Sequence, residues 1–600
     1  WESDPLYGWC NKNKKRNGDY YSIYTDGLRV HTTIDSRMQK YAEQAVYEHV
    51  VKYLQPNFNE GKKSKANFPY SSSLTAQQVQ QVLMRNVRQC ERYRVLKESG
   101  ATDSEILKSF RTPVSMSIFT YHGTVDTTMT PIDSIKYYKS FLRTGFVSIC
   151  PQNGHVKAYV GGLDFSHFAY DMVMEGRRQV GSTIKPFLYS LAMENGFSPC
   201  DLAPNVQQTY IVAGKPWTPR NSGRARYGEM VTLKWGLQQS NNWISAYLMS
   251  KLSPQAFVDL LHQYGINNPE IHPSMALCLG PCEITVGEMA SAYTAFVNHG
   301  IRASHMFVTK IEDGEGNLVA QFAPRMNEVI SEESAHKMLY MLKAVVDGGT
   351  AGRLRFKYNL KGDIAGKTGT TNNNSDAWFM GITPTLVNAC WVGGDDRDIH
   401  FESMSMGQGA TMALPIFALY MQKVYQDKQL GYNENAIFDL PDGYDPCSFV
   451  EEALEANDIE EKKALISLLG KRIESYTSSN TEKEIQRNEK VFAEAIYDRF
   501  CYLTTHVLIK PTEKEWNSIK KLVEENSPDF KLLLKKKFGL REDEYRVCIL
   551  VWLEFQPNQI LSLMDKDYAY VSKVRRKLLW KVFHIDGKPA EFDIRLRRTF

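Results

Sequence analysis

The sequence predicts an α+β domain, an antiparallel sheet flanked by helices, followed by an all-α tail. Residues 144–162 read as two strands around Asn153-Gly154, a favoured tight-turn pair. Residues 363–394 contain three short strand-like runs separated by turn residues, and residues 414–427 follow as an apolar-faced helix. Helical patterns dominate the stretch between these two regions, and one predicted helix begins with Thr285 and Glu288 in capping-box spacing and ends at Gly300. The strands before and after this helical insert are therefore expected to pair into one sheet.

Length and changes in composition divide the 600 residues into four predicted segments. Residues 1–145 are expected to be an irregular linker or pedestal with one helical stretch at residues 74–100. Residues 146–446 hold the α+β domain. Residues 447–510 read as a charged helical linker, and residues 511–600 read as a small helical domain.

Charge and hydropathy exclude two broad classes of protein. The chain carries 72 Lys and Arg against 68 Asp and Glu, so with a net charge of +4 it is not expected to coat nucleic acid. No run of about 18 apolar residues occurs, so no membrane-spanning helix is predicted. Because the sequence starts at Trp1 without an initiator methionine or a signal-peptide pattern, we expect a fragment or a mature form.

The segment GRRQVGSTIKPFLYSLAME places Ser182 three residues before Lys185 at the start of an apolar helix. Positions i and i+3 of a helix share a face, so the two side chains are expected to lie side by side. Pro186 lacks an amide hydrogen and fits only a first helical turn, which puts Ser182 at the helix N-terminus. A serine becomes nucleophilic when a base takes its proton, and a lysine with a lowered pKa serves as such a base. The spacing predicts a nucleophile, Ser182, and its base, Lys185.

A second polar element, Ser240-Asn241-Asn242, lies inside or just after a predicted helix that begins near Thr232. Its Ser240 is suited to relay a proton between the attacked amide and the lysine. Its Asn242 is suited to hold Lys185 and the amide of the acyl group. Both residues are therefore candidate catalytic residues.

A third element, Lys367-Thr368-Gly369-Thr370, lies on a predicted strand. Lys367 is expected to present a fixed positive charge to a substrate carboxylate, with Thr368 and the Thr370 hydroxyl beside it. Gly369 lacks a side chain and would let a substrate backbone lie against the strand edge. The backbone amides of Ser182 and Thr370 are expected to form the oxyanion hole.

These three elements resemble the motif set of penicillin-binding proteins and class A β-lactamases. The surrounding sequence, over roughly residues 20 to 446, resembles the transpeptidase part of class A penicillin-binding proteins, in the version found in the Bacteroides group. The resemblance is carried by WTPRN, LKWGLQQSNN, GGTAGRL and AGKTGTTNNNSDAWFMGITPTLVNACWVGGDD, besides the segment around Ser182. Upstream, DGLRVHTTIDSRMQKYAEQAV resembles the connection between the family's transglycosylase and transpeptidase domains.

The resemblance implies a peptidoglycan D,D-transpeptidase. Such an enzyme cleaves a D-Ala-D-Ala stem peptide, holds the acyl group on Ser182, passes it to the amine of a neighbouring stem, and is acylated by β-lactams. It also implies that Trp217 and Asn221 border the cleft and bind substrate. No cofactor is expected. The implied location is the periplasmic face of the inner membrane, with cell-wall synthesis proteins as partners.

One part of the family pattern is missing from the sequence. The transglycosylase domain of the family carries acidic motifs of the Glu-Asp-x-x-Phe type, and residues 1–145 contain none of them. We therefore expect the chain to hold the transpeptidase half alone.

Two alternatives share the fold and the motifs. A β-lactamase must let water attack the acyl-enzyme, which needs a placed base. Class A β-lactamases typically have Ser-Asp-Asn as their second motif, whereas residue 241 is Asn here, and Glu270 and Glu283 read as surface or helix-capping charges. A β-lactam sensor without catalysis is the other alternative. All three would be acylated, and the lifetime of the adduct and cross-linking activity distinguish them.

The cysteines and histidines predict no metal site. The ten cysteines are scattered without a CxxC, and the closest pair, Cys278 and Cys282, is expected to be unpaired, with a disulfide as the alternative. His155, His299 and His305 are expected at loop or helix ends, with no carboxylate or cysteine at ligand spacing.

The tail combines charged helix formers with a basic final helix. Helical spacing of apolar residues predicts an amphipathic helix around Leu465, Leu468, Leu469 and Ile473. Residues 540–583 read as helix, turn, helix, break and helix. They resemble the C-terminal helix-turn-helix domain of helical-repeat regulators, as does the closing GKPAEFDIRLRRTF. The basic residues of the final helix are Lys573, Arg575, Arg576, Lys577 and Lys581.

A DNA-reading tail conflicts with a transpeptidase, which acts outside the cytoplasm. Three hypotheses remain: a helical module for protein or wall contact, a spurious join of two genes, and DNA binding through residues 511–600. DNA binding is the least favoured because a basic helix face is usually only solvated.

Overall fold

The computed structural model describes residues 8–445, apart from residues 64, 213 and 224, together with Cys447. In the tail it describes residues 511–526, 538–553 and 568–583, and isolated positions at 530, 534, 555, 560, 563, 564, 566, 592, 593, 595 and 596. The chain divides into two compact units, Trp1–Ser448 and Phe449–Phe600. Apart from Cys447, the predicted linker 447–510 and its amphipathic helix lie outside the described residues.

The N-terminal region is largely helical, whereas its sequence suggested an irregular pedestal with one helix. Side-chain caps account for three of the helix starts: Asp35 accepts hydrogen bonds from two amides, and Thr75 and Thr102 form capping boxes with Gln78 and Glu105. The elements are α1 (Trp9–Lys12), β1 (Arg29–Thr32), α2 (Ser36–Val46), a π-helix (Tyr47–Leu54), α3 (Gln55–Lys62), α4 (Ala76–Gln89), α5 (Glu91–Glu98), α6 (Asp103–Arg111), β2 (Val114–Thr120), β3 (Gly123–Met129) and α7 (Pro131–Lys139).

The first two strands of the main sheet and the helical insert follow in chain order. The elements are β4 (Arg143–Ile149), β5 (Val156–Val160), β6 (Arg178–Gln179), a 3₁₀ turn (Gly181–Ile184), α8 (Lys185–Glu194), β7 (Leu202–Pro204), β8 (Tyr210–Val212), β9 (Lys215–Trp217), β10 (Met230–Thr232), α9 (Leu233–Gln238), α10 (Asn242–Lys251), α11 (Pro254–Gln263), a second 3₁₀ turn (Met275–Leu279), β11 (Glu283–Ile284) and α12 (Val286–Val297). They continue with β12 (Ile301–Ala303), β13 (Val308–Glu312), β14 (Leu318–Gln321), β15 (Met326–Glu328), α13 (Glu332–Asp347) and α14 (Arg353–Phe356).

The main sheet closes with three strands from the end of the domain. These are β16 (Ala365–Thr370), β17 (Asp376–Ile382) and β18 (Val387–Gly393), followed by α15 (Met404–Gly407), α16 (Gly409–Met412) and α17 (Leu414–Gln426). The strand order is β16-β17-β18-β4-β5, and every neighbouring pair is antiparallel. Strands from both ends of the domain thus form one sheet, as predicted, and β16 is an edge strand.

Every residue of β17 and β18 is buried, which shows that both faces of the sheet are covered. Helix α12 packs against β4 and β18, while α17 packs against β17, β18 and α2. Met38 and Ala42 of α2 lie in the same hydrophobic core as the sheet residues. The fold is therefore an antiparallel sheet flanked by helices, and the first long helix of the N-terminal region is part of its core.

Two local predictions are confirmed. Thr285 and Glu288 form a capping box at the start of α12, and Gly300 has φ +84 just beyond the end of this helix. The turn between β4 and β5 contains Gly154 with φ +71. These positions are fixed by local chemistry, which is why sequence alone predicts them.

A disulfide joins Cys200 to Cys447 across 247 residues of sequence. No spacing rule predicts this pair, and it places Cys447 with the domain rather than with the linker predicted to start there. Cys278 and Cys282 are both buried free thiols, as expected.

The described parts of the tail are helices, as predicted: α18 (Glu513–Asn526), α19 (Glu542–Trp552) and α20 (Tyr568–Phe583). Trp516, Cys548 and Leu578 belong to a separate hydrophobic core. Most of the middle helix of the predicted helix-turn-helix falls outside the described residues.

A buried histidine makes the stability of the domain depend on pH. His49 in the π-helix donates from Nε2 to the carbonyl oxygen of Thr411 over 2.9 Å, and burial lowers its pKa to about 4. The unfolded chain takes up a proton as the pH falls through about 6.5, whereas the folded chain does not until about pH 4. The free energy of unfolding therefore decreases as the pH falls from about 6.5 to about 4. This one histidine accounts for a decrease of about 3 kcal/mol.

We expect His49→Gln, which retains an N–H donor, to remove this loss. Thermal unfolding of the two proteins at steps from pH 7.5 to pH 4.5 measures it. Between pH 7.5 and pH 4.5, the unfolding temperature of the wild type should decrease more than that of the variant. Parallel curves would contradict a neutral, buried His49.

Candidate active site

Ser182 and Lys185 are one helical turn apart, as their spacing predicts. Ser182 is in the 3₁₀ turn (Gly181–Ile184) and is partly exposed, whereas Lys185 begins α8 and is fully buried. Within the described part of the chain, the Ser182 hydroxyl has no hydrogen-bond partner. The candidate nucleophile thus lies at the mouth of the site with a buried lysine one turn away, and contacts of this kind often tighten when substrate binds. We call residues Gly181–Ile184 the nucleophile turn.

The ammonium of Lys185 is held by uncharged oxygen atoms. Its Nζ donates to the carbonyl oxygen of Ser240 over 2.7 Å and to Oδ1 of Asn242 over 2.6 Å, and it lies 3.5 Å from Oγ of Ser240. No carboxylate of the described residues lies within salt-bridge distance of it. Burial lowers the pKa of Lys185 to about 7 because nothing nearby compensates the charge that leaves water.

Lys367 on β16 approaches the same serine from the sheet. Its Nζ donates to Oγ of Ser240 over 2.8 Å and to the carbonyl oxygen of Thr368 over 3.0 Å. Burial, and after it the positive charge of Lys185, lower the pKa of Lys367 well below its usual value. The fixed positive charge that the sequence suggested for Lys367 stays a prediction, which burial opposes in the protein without substrate.

The backbone at Ser240 is in the left-handed region, with φ +53. This conformation turns the chain from the end of α9 into α10, where Asn241 is the N-cap and accepts hydrogen bonds from the amides of Trp243 and Ile244. Glycine adopts the left-handed conformation at less cost than serine does. A serine at this position is therefore consistent with a need for its side chain. Its Oγ lies between the two lysines.

Asn221 supports this second element through its side-chain amide. Its Oδ1 accepts from the amide of Asn242 over 2.7 Å, and its Nδ2 donates to Oδ1 of Asn241 over 3.1 Å. Nδ2 of Asn242 donates to the carbonyl oxygen of Arg220 over 2.6 Å. Asn221 thus helps to position Asn241 and Asn242, and its predicted place at the border of the cleft, as a substrate ligand, stays a prediction.

Trp217 ends β9, and its ring lies 6.1 Å from that of Tyr210. Among the described residues, no hydrogen bond links it to the lysines or to Ser182. A substrate-binding role for Trp217 stays a prediction.

Close packing within the protein requires a glycine at position 369, and its predicted contact with a substrate backbone stays a prediction. A Cβ at Gly369 would lie 2.8 Å from the carbonyl oxygen of Val180 and 2.8 Å from Cγ2 of Thr183, so the missing side chain lets β16 contact the nucleophile turn. The Thr368 and Thr370 hydroxyls are also engaged. Thr368 Oγ1 is 2.7 Å from Oγ1 of Thr350, and Thr370 Oγ1 accepts from the amide of Gly409 over 3.0 Å.

The candidate oxyanion hole is built on a second close contact. Gly181 has φ +52, and a Cβ there would lie 2.8 Å from the carbonyl oxygen of Thr370. The backbone before Ser182 therefore lies against that of Thr370. This contact brings together the two segments whose amides the sequence analysis assigned to the oxyanion hole.

A segment without an assigned role, CLGPC, holds the nucleophile turn from the other side. The amide of Gly181 donates to the carbonyl oxygen of Gly280 over 3.0 Å, and that of Val180 donates to Cys282 over 3.1 Å. Gly280 has φ +70, and a Cβ there would lie 2.1 Å from the carbonyl oxygen of Gly181. This support was not predicted, because the sequence of CLGPC drew attention to its two cysteines. The glycine between them was the signal that could have indicated a close backbone contact.

A buried ion pair fixes the strand that leads into the turn. Nε of Arg178 donates to Oδ1 of Asp376 over 2.7 Å, and the guanidinium lies 4.6 Å above the ring of Trp391. Asp376 also accepts from Nε1 of Trp391 over 3.1 Å. Both charges are almost completely buried, so this pair anchors β6 to β17.

Neither glutamate that the sequence analysis considered for a hydrolytic base contacts the site. Glu270 is exposed, and Glu283 forms an ion pair with Arg397. Within the described residues, no carboxylate is hydrogen-bonded to Ser182, Lys185 or Ser240.

The sequence matches two family models and several relatives, all of them penicillin-binding proteins. Residues 65–142 match the family model "Penicillin-binding protein middle domain", and residues 144–395 match "Penicillin binding protein transpeptidase domain". Penicillin-binding protein 1A of Neisseria meningitidis is 35% identical over 298 residues, which are 48% of this chain and 36% of that protein. Penicillin-binding protein 1A of Aquifex aeolicus is 33% identical over 285 residues, 47% of this chain and 38% of that protein.

The chain thus spans little more than a third of the length of these relatives. The crystal structure of penicillin-binding protein 1A from Haemophilus influenzae, at 22% identity, covers 72% of this chain and 70% of its own, with a TM-score of 0.52. At that identity the likeness concerns the fold alone. Residues 144–395 thus match the transpeptidase domain of penicillin-binding proteins in sequence, and the fold is similar to that of a solved penicillin-binding protein.

Proposed function

We propose that this chain is a serine acyltransferase that cross-links peptidoglycan stem peptides through an acyl-enzyme on Ser182. The observation that carries the proposal is the environment of Lys185. It is a fully buried lysine with a pKa of about 7, one helical turn from a partly exposed serine. A neutral amine in that place is a base for the hydroxyl, and structural lysines seldom lie buried without a carboxylate.

Acylation begins when Lys185 takes the proton of the Ser182 hydroxyl. The Ser182 oxygen then attacks the carbonyl carbon of the penultimate D-Ala, and the amides of Ser182 and Thr370 stabilise the oxyanion. The C–N bond breaks, and the leaving amine of the terminal D-Ala takes a proton. Ser240 Oγ, which lies 3.5 Å from Lys185 Nζ and 2.8 Å from Lys367 Nζ, relays that proton.

Lys367 and its neighbours are the proposed carboxylate site. The two lysines have no negatively charged partner among the described residues. A substrate carboxylate would provide one and thereby raise the pKa of Lys367. The hydroxyls of Thr368 and Thr370 lie on the same strand. Binding of the correct substrate therefore protonates Lys367 and leaves Lys185 as the neutral base.

The fate of the acyl group separates a transpeptidase from a β-lactamase. In class A β-lactamases a glutamate directs water at the ester, and no carboxylate of the described residues is hydrogen-bonded to Ser182, Lys185 or Ser240. Transfer to an amine is therefore favoured over hydrolysis. A β-lactam sensor would form the same stable adduct, and cross-linking activity distinguishes it.

The compartment follows from the same proposal. Peptidoglycan is assembled outside the cytoplasm, and the disulfide between Cys200 and Cys447 suits an oxidising compartment such as the periplasm. The proposed location is the periplasmic face of the inner membrane, with wall-synthesis proteins as partners. None of the described helices is both long and apolar enough to cross a bilayer.

The basic helix of the tail gives little support to DNA binding. Arg575 is buried and paired with Asp593, Lys577 Nζ lies 2.7 Å from Oε1 of Glu544, and Lys581 donates to the carbonyl oxygen of Gly539. Much of the positive charge is thus engaged inside the tail. A helical module for protein or wall contact is the role we favour for it.

The first test is a covalent adduct with benzylpenicillin. We expect intact-mass spectrometry to show one adduct that persists for hours, because no carboxylate of the described residues is placed to direct water at the ester. Ser182→Ala should give none. Transfer of a labelled stem-peptide acyl group to an added D-amino acid then separates a transpeptidase from a sensor.

Two results would contradict the proposal. An adduct that forms and disappears within seconds identifies a hydrolysing enzyme. An adduct that remains in Ser182→Ala removes this serine as the nucleophile. Melting temperatures of the two proteins show that the substitution leaves the fold intact.

The position of the nucleophile turn leads to a second prediction. A Cβ at Gly280 would clash with the carbonyl oxygen of Gly181 at 2.1 Å, and so would displace Ser182. We expect Gly280→Ala to slow acylation by about 100-fold, since a shift of about 1 Å costs that much. Stopped-flow acylation by a chromogenic β-lactam measures the rate.

Gly431→Ala is the matched control for this substitution. Gly431 has a similar φ of +76, and a Cβ there would meet nothing within 4 Å. It carries the same backbone strain without the clash, so its acylation rate should equal that of the wild type. If both variants acylate at the wild-type rate, Gly280 does not hold the turn.

A further inference from the structure

A histidine at the end of α12 meets two side chains at the start of α13 that are more than 30 residues away in sequence. His299 follows the end of α12, and Glu332 and His336 lie one turn apart at the start of α13. One ligand atom from each of the three lies within 4.8 Å of the other two. The sequence showed no carboxylate at ligand spacing from His299, and this expectation is wrong. The fold brings Glu332, which is 33 residues away in sequence, next to His299.

The distances suit a small divalent ion. Nδ1 of His299 lies 2.8 Å from Oε1 of Glu332, and that oxygen lies 3.9 Å from Nε2 of His336. A tetrahedral zinc ion with bonds of about 2.0–2.1 Å sets its ligand atoms roughly 3.4 Å apart. The observed separations lie on either side of that value, so small rotations of the side chains would form the site.

Two further observations indicate a ligand. Nε2 of His336 is buried and has no hydrogen-bond partner in the described part of the chain. The other nitrogen of His299, Nε2, lies 3.5 Å from Oδ2 of Asp439. A metal-binding histidine usually directs its second nitrogen at a carboxylate, which fixes the tautomer that leaves the first nitrogen unprotonated.

We propose that His299 Nδ1, a carboxylate oxygen of Glu332 and His336 Nε2 bind a divalent transition metal of the zinc class, with Asp439 positioning His299. Two imidazoles and one carboxylate are a donor set suited to such ions. Water completes the coordination. The site is independent of the proposed acyl transfer, since none of these four residues is hydrogen-bonded to the described catalytic groups.

The ion would fasten the last segment of the domain, residues 433–447, to α12 and α13. That segment already has several attachments. The amide of Phe438 donates to Asp363 over 3.0 Å, Tyr340 donates to Asp445, the ring of Tyr444 lies 6.4 Å from that of His336, and Cys447 is bonded to Cys200. Asp439 adds a link to this segment through the metal-bound His299.

The test is isothermal titration of the full chain with ZnCl2 after treatment with a chelator. Accessible thiols are alkylated first, because Cys90 and Cys150 are free and partly exposed. We expect one equivalent to bind. His336→Ala should lose this binding, Glu332→Gln should weaken it, and Asp439→Asn should weaken it by about 10–100-fold.

Controls separate the site from general binding and from misfolding. His122→Ala removes an exposed histidine elsewhere and should bind like the wild type. His336→Gln provides a second, milder variant, and a normal penicillin adduct shows that each variant is folded. The absence of a stoichiometric site in the wild type would overturn the proposal. Undiminished binding in both His336 variants would overturn it as well.

Discussion

The charge of Lys185, held away from water without a counter-charge, is the constraint on which the rest of the site depends. Its amine is surrounded by the carbonyl oxygen of Ser240 and the amide oxygen of Asn242, which solvate it without neutralising it. A carboxylate in their place would fix the proton on the lysine and end its use as a base. The positive charge of Lys185 in turn helps burial to lower the pKa of the second buried lysine, Lys367. The site therefore favours a neutral amine beside Ser182.

Such a site is held by backbone contacts more than by side chains. Gly181, Gly280 and Gly369 each lie where a Cβ would strike a neighbouring segment, so the nucleophile turn fits closely between the sheet and the CLGPC segment. The hydroxyl of Tyr293 on α12 donates to the carbonyl oxygen of Thr183 over 2.6 Å. The turn thus has contacts on several sides, which restricts the movement of Ser182 relative to Thr370.

Local chemistry was readable from the sequence, whereas long-range pairing was not. The nucleophile and lysine share a helical turn, and the Thr285–Glu288 capping box involves neighbours, so spacing predicted both. The helices of residues 36–62 were missed because they depend on packing against the domain core. The Cys200–Cys447 bond and the His299–Glu332 contact join residues that only the fold brings together. The contacts of Asn221 with Asn241 and Asn242 were not predicted, because nothing in its neighbourhood in sequence indicates them.

The pH dependence of β-lactam acylation tests the central claim, that Lys185 is the neutral base, most directly. The second-order rate constant should rise with pH and level off above an inflection near pH 7, because the pKa of Lys185 is about 7 and its unprotonated form is active. Lys185→Arg, which keeps a permanent charge, should lose at least about 100-fold at every pH. A rate constant that is flat from pH 6 to pH 9, or an arginine variant that acylates like the wild type, would contradict this account.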